Sequence, residues 1–189
     1  MSFTLTAIIL TGCQKTQGTA TSIFKEMQEL AKQGDAGDQY NLGMMYEYGH
    51  GVEKDYTKAF KWYEQAANQG LISGLASMYK EGLGVRQDYT KVFELYEKAA
   101  NQGDVSYQFL LGVIYEKGEG VHEDYDKAIE WYEEAANQGN VSAAYNLGMM
   151  YVKGEGVHED YDKALQWFGK ACDNGSQNSC DKYRILNER

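Results

Sequence analysis

Two short stretches carry a serine three residues ahead of a lysine, Ser22-Ile-Phe-Lys25 and Ser77-Met-Tyr-Lys80. In that arrangement a lysine amine can take the proton of a serine hydroxyl attacking an acyl group. Neither is accompanied by the K-T-G or S-D-N segments such chemistry uses, and a pattern with two fixed positions in four recurs by chance. His50, His122 and His158 lie in glycine-rich stretches, the last two at the same place of G-V-H-E-D. Imidazole beside carboxylate is a metal-ligand combination, but a His-Glu-Asp run in an exposed turn is ordinarily solvated. The carboxylate pairs Glu123-Asp124 and Glu133-Glu134 read as helix caps and solvated faces rather than as an acid and its base. No catalytic residue, metal ligand set or cofactor is assigned, and the chain reads as no enzyme. Three cysteines remain, Cys13, Cys172 and Cys180, and their meaning depends on the elements that hold them.

Those elements repeat. The segment from Gly118 to Gly139, GEGVHEDYDKAIEWYEEAANQG, returns 36 residues later as GEGVHEDYDKALQWFGKACDNG, and further copies begin at Gly49 and Gly82. Self-similarity at this period means that the chain stacks small units instead of folding one large core. Of the 189 residues, 43% are hydrophobic and 13% aromatic, with 16 tyrosines and no proline, ample apolar surface for a packed array. The formal net charge of -10 repels a phosphate backbone, so nucleic acid is not an expected partner; a basic or neutral protein is.

Each unit reads as two antiparallel helices. Leu42, Gly43, Met45 and Tyr46 mark the packed face of a first helix and Ala59, Tyr63, Ala66 and Ala67 that of a second, at spacings of three and four. Gly49 and Gly51 turn the chain between them through positive φ. Asp55, Asp88, Asp124 and Asp160 stand where an N-cap belongs, each worth about 1 kcal/mol. Gly43, Gly112 and Gly148 allow close helix approach. One unit departs: Gly70 and Gly103 are 33 residues apart rather than 36, which shortens its first helix by about one turn, about 4.5 Å. The expected organisation is a signal-like segment over 1–13, a flexible linker over 14–22 and an array over 23–189. The array comprises a capping helix 23–34, units 35–70, 71–103, 104–139 and 140–175, and a closing cap 176–189.

The recurring pattern L-G-x-M-Y-x-x-G-x-G-V-x-x-D-Y-x-K-A-x-x-W-Y-x-x-A-A-x-Q-G resembles the Sel-1-like repeat family, relatives of the tetratricopeptide repeats with a longer glycine turn. The resemblance covers about residues 23–183. It implies an all-α, right-handed α-solenoid of helix-turn-helix repeats whose first helices line a concave docking surface. Cys172 lies near the end of a second helix and Cys180 on the helix after it, facing across the turn at a distance a disulfide can span; two reduced, buried thiols are the alternative. The C-x7-C spacing resembles the cysteine-rich members of the family in bacteria, where it forms a disulfide, and such a bond implies an oxidising compartment. Some of those relatives are linked with penicillin binding and weak β-lactamase activity, an alternative set aside with the serine motifs. The opening MSFTLTAIILTGC resembles the end of a bacterial lipoprotein signal with Cys13 as the lipidated residue, although no Lys or Arg precedes its apolar run.

These resemblances place the chain in the periplasm as an outer-membrane lipoprotein that touches the membrane only through its anchor; without a functioning signal it is cytoplasmic. The expected function is protein binding without catalysis. The sharper form is an immunity partner that blocks a toxin acting in the periplasm, and the rival form is an adaptor in envelope or host-interaction complexes. The residues expected to face a protein partner are the ones the packing pattern leaves over: Asn41, Met44 and Tyr48; Ser77 and Glu81; Leu110, Val113 and Lys117; Asn146, Met149 and Lys153. They differ from unit to unit while the frame around them stays the same, and a partly buried stripe is the alternative.

Overall fold

The computed structural model describes the backbone of residues 3–188 and the side chains of residues 18–188. The Cys13 side chain, and with it the lipidation expected there, lies outside the described residues. Ten α-helices are present and, among the described residues, no strand: α1 Phe3–Lys32, α2 Ala36–Tyr48, α3 Tyr56–Asn68, α4 Ser73–Glu81, α5 Tyr89–Asn101, α6 Val105–Lys117, α7 Tyr125–Asn137, α8 Val141–Lys153, α9 Tyr161–Asp173 and α10 Gln177–Asn187. By class the chain is an all-α helical-repeat solenoid. It divides into two compact units, one ending at Val92 and one beginning at Phe93, with α5 falling across the division.

Helix boundaries follow the capping residues. The carboxylates of Asp55, Asp88, Asp124 and Asp160 accept the backbone N–H three residues on, at Lys58, Lys91, Lys127 and Lys163, over 2.9–3.1 Å. Each satisfies one of the orphan donors of a helix start. At the other end of the first helices Gly49, Gly118 and Gly154 adopt left-handed φ of 77°, 66° and 70° and return their N–H to the carbonyls of Met45, Ile114 and Met150. A side chain is strained in that conformation, so glycine is required there.

Two boundaries differ from the sequence expectation. Residues 14–22, expected as a tether, and 23–34, expected as a separate cap, belong to the single helix α1. The stretch contains no proline and one glycine, Gly18, which weakens a helix by about 1 kcal/mol without ending it. The shortened first helix, α4, has 9 residues where α2 has 13, a loss of about 6 Å at 1.5 Å per residue. Where Asp35 caps α2, α4 begins at Ile72, which makes no side-chain cap bond and is instead buried at 3% exposure. Apolar burial has replaced a hydrogen bond as the start signal.

Inside three of the four hairpins an aromatic ring of the second helix lies flat on a glycine of the first; in the α4–α5 hairpin Ala76 stands at the glycine's place. A Cβ added at Gly43 would stand 2.7 Å from Tyr63 Cδ1, and one at Gly148 2.6 Å from Phe168 Cε1; Gly112 is covered by Tyr132 in the same way. Tyr63, Tyr132 and Phe168 are among the largest fully buried side chains. Between hairpins the contact is edge-on. Phe24 meets Tyr46 at 5.4 Å and 88°, and Phe60 meets Tyr79 at 5.5 Å and 89°, both in the N-terminal unit. In the C-terminal unit Phe93 meets Tyr115 at 5.7 Å and 90°. T-shaped pairs set the positive ring edge against the negative face, a preference worth about 1 kcal/mol beyond the area buried.

The C-terminal unit closes on α10, where packing is thin. Ser179 is its one buried residue, and Tyr183, standing where Leu111 and Leu147 are fully buried, is 40% exposed. What ties α10 down is covalent: Cys172 of α9 and Cys180 of α10 form a disulfide with their Cα atoms 4.7 Å apart. Linking residues separated by 8 positions limits the unfolded chain and contributes about 2 kcal/mol. Replacing both cysteines by serine is expected to lower hydrogen-exchange protection in α10 selectively, leaving α6 to α8 protected as before. Unchanged exchange in α10 would show that packing alone suffices.

Candidate binding surface

The eleven residues expected to face a partner fall on the first helices in two classes. Asn41, Met44, Leu110, Val113, Asn146 and Met149 are half-buried, whereas Tyr48, Ser77, Glu81, Lys117 and Lys153 are exposed. The half-buried ones work on two sides. Leu110 packs against the cluster of Ala100, Leu111 and Ile114, and Met149 against Tyr151, Ala164 and Phe168. Their remaining surface stays open. Asn146 lies beside the Tyr132 hydroxyl. Tyr48 is 54% exposed, with the His50 ring 6.0 Å away, while Lys117 and Lys153 lie 3.7 and 3.3 Å from Glu119 and Glu155. Such exposed ion pairs contribute little to stability.

Met45, read from its spacing as a packing residue, is half-buried. It lines an open hollow of about 710 Å³ in the N-terminal unit, together with Ala20, Ile23, His50 and Val52. The long α1 supplies Ala20 and Ile23 to this hollow. Ser22 and Ser77, the serines of the two S-x-x-K stretches, are both exposed. Among the described residues no group of three His, Cys, Asp or Glu is placed to hold a metal ion.

A set of buried polar residues went unread in the sequence. Gln39 and Gln108 are 6% and 4% exposed. Gln69 donates from Nε2 to Gln39 Oε1 at 2.8 Å and to the Gly34 carbonyl at 2.9 Å. Gln138 does the same to Gln108 at 2.7 Å, and Gln108 reaches the Ala100 carbonyl at 3.2 Å. In these two hairpins the amides tie the helix pair to the segment before it and satisfy groups that burial would otherwise penalise. The second set lies under the rings. The Tyr63 hydroxyl donates to Glu47 Oε2 at 2.5 Å, and the Tyr132 hydroxyl donates to Glu116 Oε2. Burial first, and the adjoining carboxylate second, push both phenols far above the ordinary tyrosine range. The signal was present in the spacing: Gln39 and Gln108, and Glu47 and Glu116, recur 69 residues apart, and where Val152 replaces the glutamate Phe168 replaces the tyrosine.

Stacked helical hairpins, a constant frame and a variable half-open stripe define a repeat protein of the protein-interaction class. The Sel1 repeat matches residues 38–71, 73–104, 105–140 and 141–176, and the chain belongs to that family. It is similar to a Sel1 repeat protein from Oxalobacter formigenes, with 30% identity and a TM-score of 0.63 over 85% of this chain and 73% of that one. It is also similar to c5321, a protective antigen of uropathogenic Escherichia coli with the same fold, at 36% identity and a TM-score of 0.69 over 84% of this chain and 35% of that one. Among curated proteins, 45 residues are 49% identical to the sel1-like repeat-containing protein L21 of Acanthamoeba polyphaga mimivirus, 24% of this chain and 8% of that protein. The chain matches 8% and 9% of the length of its curated relatives.

The Glu116–Tyr132 pair invites a double-mutant cycle, since the next copy has already replaced both members with Val152 and Phe168. Tyr132→Phe and Glu116→Val should each destabilise the chain in urea unfolding, and the double variant should recover about 1 kcal/mol of the summed loss. Because the phenol pKa values are raised, the folded state keeps protons that the unfolded state releases above the ordinary tyrosine value of about 10. Stability is therefore complete below about pH 10 and falls as pH rises beyond it, less steeply in Tyr132→Phe.

Proposed function

We propose that the chain is a non-catalytic module that holds a protein partner on the half-open stripe of its first helices. The observation that carries this reading is that Met44, Leu110 and Met149, all apolar, remain only half-buried on their first helices. Apolar, adaptable side chains at a solvent boundary are what a protein interface uses. The net charge of -10 favours a basic or neutral partner and speeds its approach. Sel1 repeat proteins generally act as scaffolds.

The finer form of the proposal is an envelope protein that blocks a toxin acting in the periplasm. It is supported by the lipoprotein-like Cys13 segment and by a cysteine pair suited to an oxidising compartment. No helix among the described residues is long and apolar enough to cross a membrane. In this reading lipid at Cys13 supplies the attachment. The toxin would be inactivated by occlusion. An adaptor in envelope complexes uses the same stripe and differs only in the partner.

Changing Met44, Leu110 and Met149 together to Asp should abolish capture of the partner from envelope extract while leaving the circular dichroism unchanged. Retained capture would move the site off the first helices. A toxin gene beside this one, with protection of cells lost in the same variant, is the outcome expected for immunity; a captured envelope protein without toxicity selects the adaptor.

A further inference from the structure

The two tryptophans of the C-terminal unit stand at equivalent places, Trp131 on α7 and Trp167 on α9, 36 residues apart. Around Trp167 the site is filled from within. Lys170 Nζ lies 5.1 Å from the centre of the Trp167 ring and donates to Asn137 Oδ1 on the preceding second helix at 2.7 Å. An ammonium over an indole face is held by the ring quadrupole, and the amide oxygen takes one of its three protons.

Around Trp131 the same walls stand without the cation. Asn101 occupies the place of Asn137, but Glu134 occupies that of Lys170. An open hollow of about 440 Å³ lies there, lined by Trp131, Asn101, Gln108, Glu130, Glu133 and Glu134 among others. At the corresponding places near Trp167 the residues are Gln166 and Gly169 in place of Glu130 and Glu133. The copy that supplies its own lysine is thus uncharged at both of those places, and its one carboxylate among the corresponding positions is Asp173, which stands where Asn137 does. The copy that lacks one presents three carboxylates, none of which forms an ion pair in the described structure, and no basic residue lines its hollow.

We propose that the hollow at Trp131 receives a lysine side chain of the protein partner, at the place that Lys170 fills beside Trp167. The proposal rests on the protein-binding reading above and adds the chemistry of one contact: a basic segment whose ammonium sits on the indole, donates to Asn101 and is neutralised by Glu134 and its neighbours. Partial burial of Trp131 against Leu111 and Ala128 keeps the ring in place to receive it.

The test uses the whole chain and a tetralysine peptide at low ionic strength, read through the three indole N–H resonances of Trp62, Trp131 and Trp167 in ¹⁵N-labelled protein. The Trp131 signal should shift saturably while the other two hold. Glu134→Lys, which installs the residue the next copy already carries, should weaken the response about tenfold by filling the site internally. Lys170→Glu should uncover Trp167 and make its signal respond as well. Three signals moving together in proportion to peptide, or a Trp131 response unchanged by Glu134→Lys, would overturn the proposal in favour of diffuse attraction to an acidic chain. No partner is needed for this titration. Its failure therefore leaves the stripe reading standing, whereas partner capture that survives the stripe variants overturns that reading alone.

Discussion

In three of the four hairpins the separation of the two helices is set by an aromatic ring lying on a glycine. A methyl group at Gly43 would sit within van der Waals distance of three Tyr63 ring atoms at once, so the first helix can approach only as a bare backbone. Tyr63 is shared further, since Gly74 of α4 rests on its other side. A ring trapped between two backbones cannot leave its hydroxyl unpaired, and Glu47 is brought in to accept its proton. The residues that a packing argument assigns to the core therefore require a charged residue beneath them. The last copy, with Phe168 and Val152, meets the same steric demand by dispensing with both polar groups.

The frame limits where variation can occur. Positions that touch the ring, the capping aspartates and the αL glycines recur from copy to copy, whereas the outer edge of each first helix changes from Met44 to Ser77, Leu110 and Met149. A binding surface of this kind is assembled from residues that are half structural. Met149 contributes one side to the core around Phe168 and leaves the other open, and Asn146 lies beside the Tyr132 hydroxyl. Substitutions on the stripe should accordingly be read for stability as well as for binding.

The copies also differ in how they treat charge. Lys58, Lys127 and Lys163 each lie 5.0–5.4 Å from a tyrosine ring centre of their own hairpin, a repeated contact that holds the start of the second helix over the first. Lys170 over Trp167 is a different contact, made across to the preceding hairpin through Asn137. At Trp131 that lysine is replaced by Glu134. A repeat fold can thus acquire a charged recognition point by one substitution without altering any helix.

The helix pairs, their caps, their turns and the cysteine placement were readable from the chain itself, because glycine at positive φ, aspartate at a helix start and small residues at close approaches are demands of local geometry that any copy must meet. The spacing of Gly43 and Tyr63, or of Asp55 and Gly70, therefore carries the fold directly. The continuation of α1 through residues 14–22, the incomplete burial of Met45, the burial of Gln39 and Glu47 and the open hollow at Trp131 were decided by tertiary structure. A glutamine or glutamate on a helix has the same periodicity whether it meets water or a buried hydroxyl. Which of the two it meets depends on a side chain contributed from 16 or 30 residues away, and that distance is closed only when the two helices of the hairpin pack together.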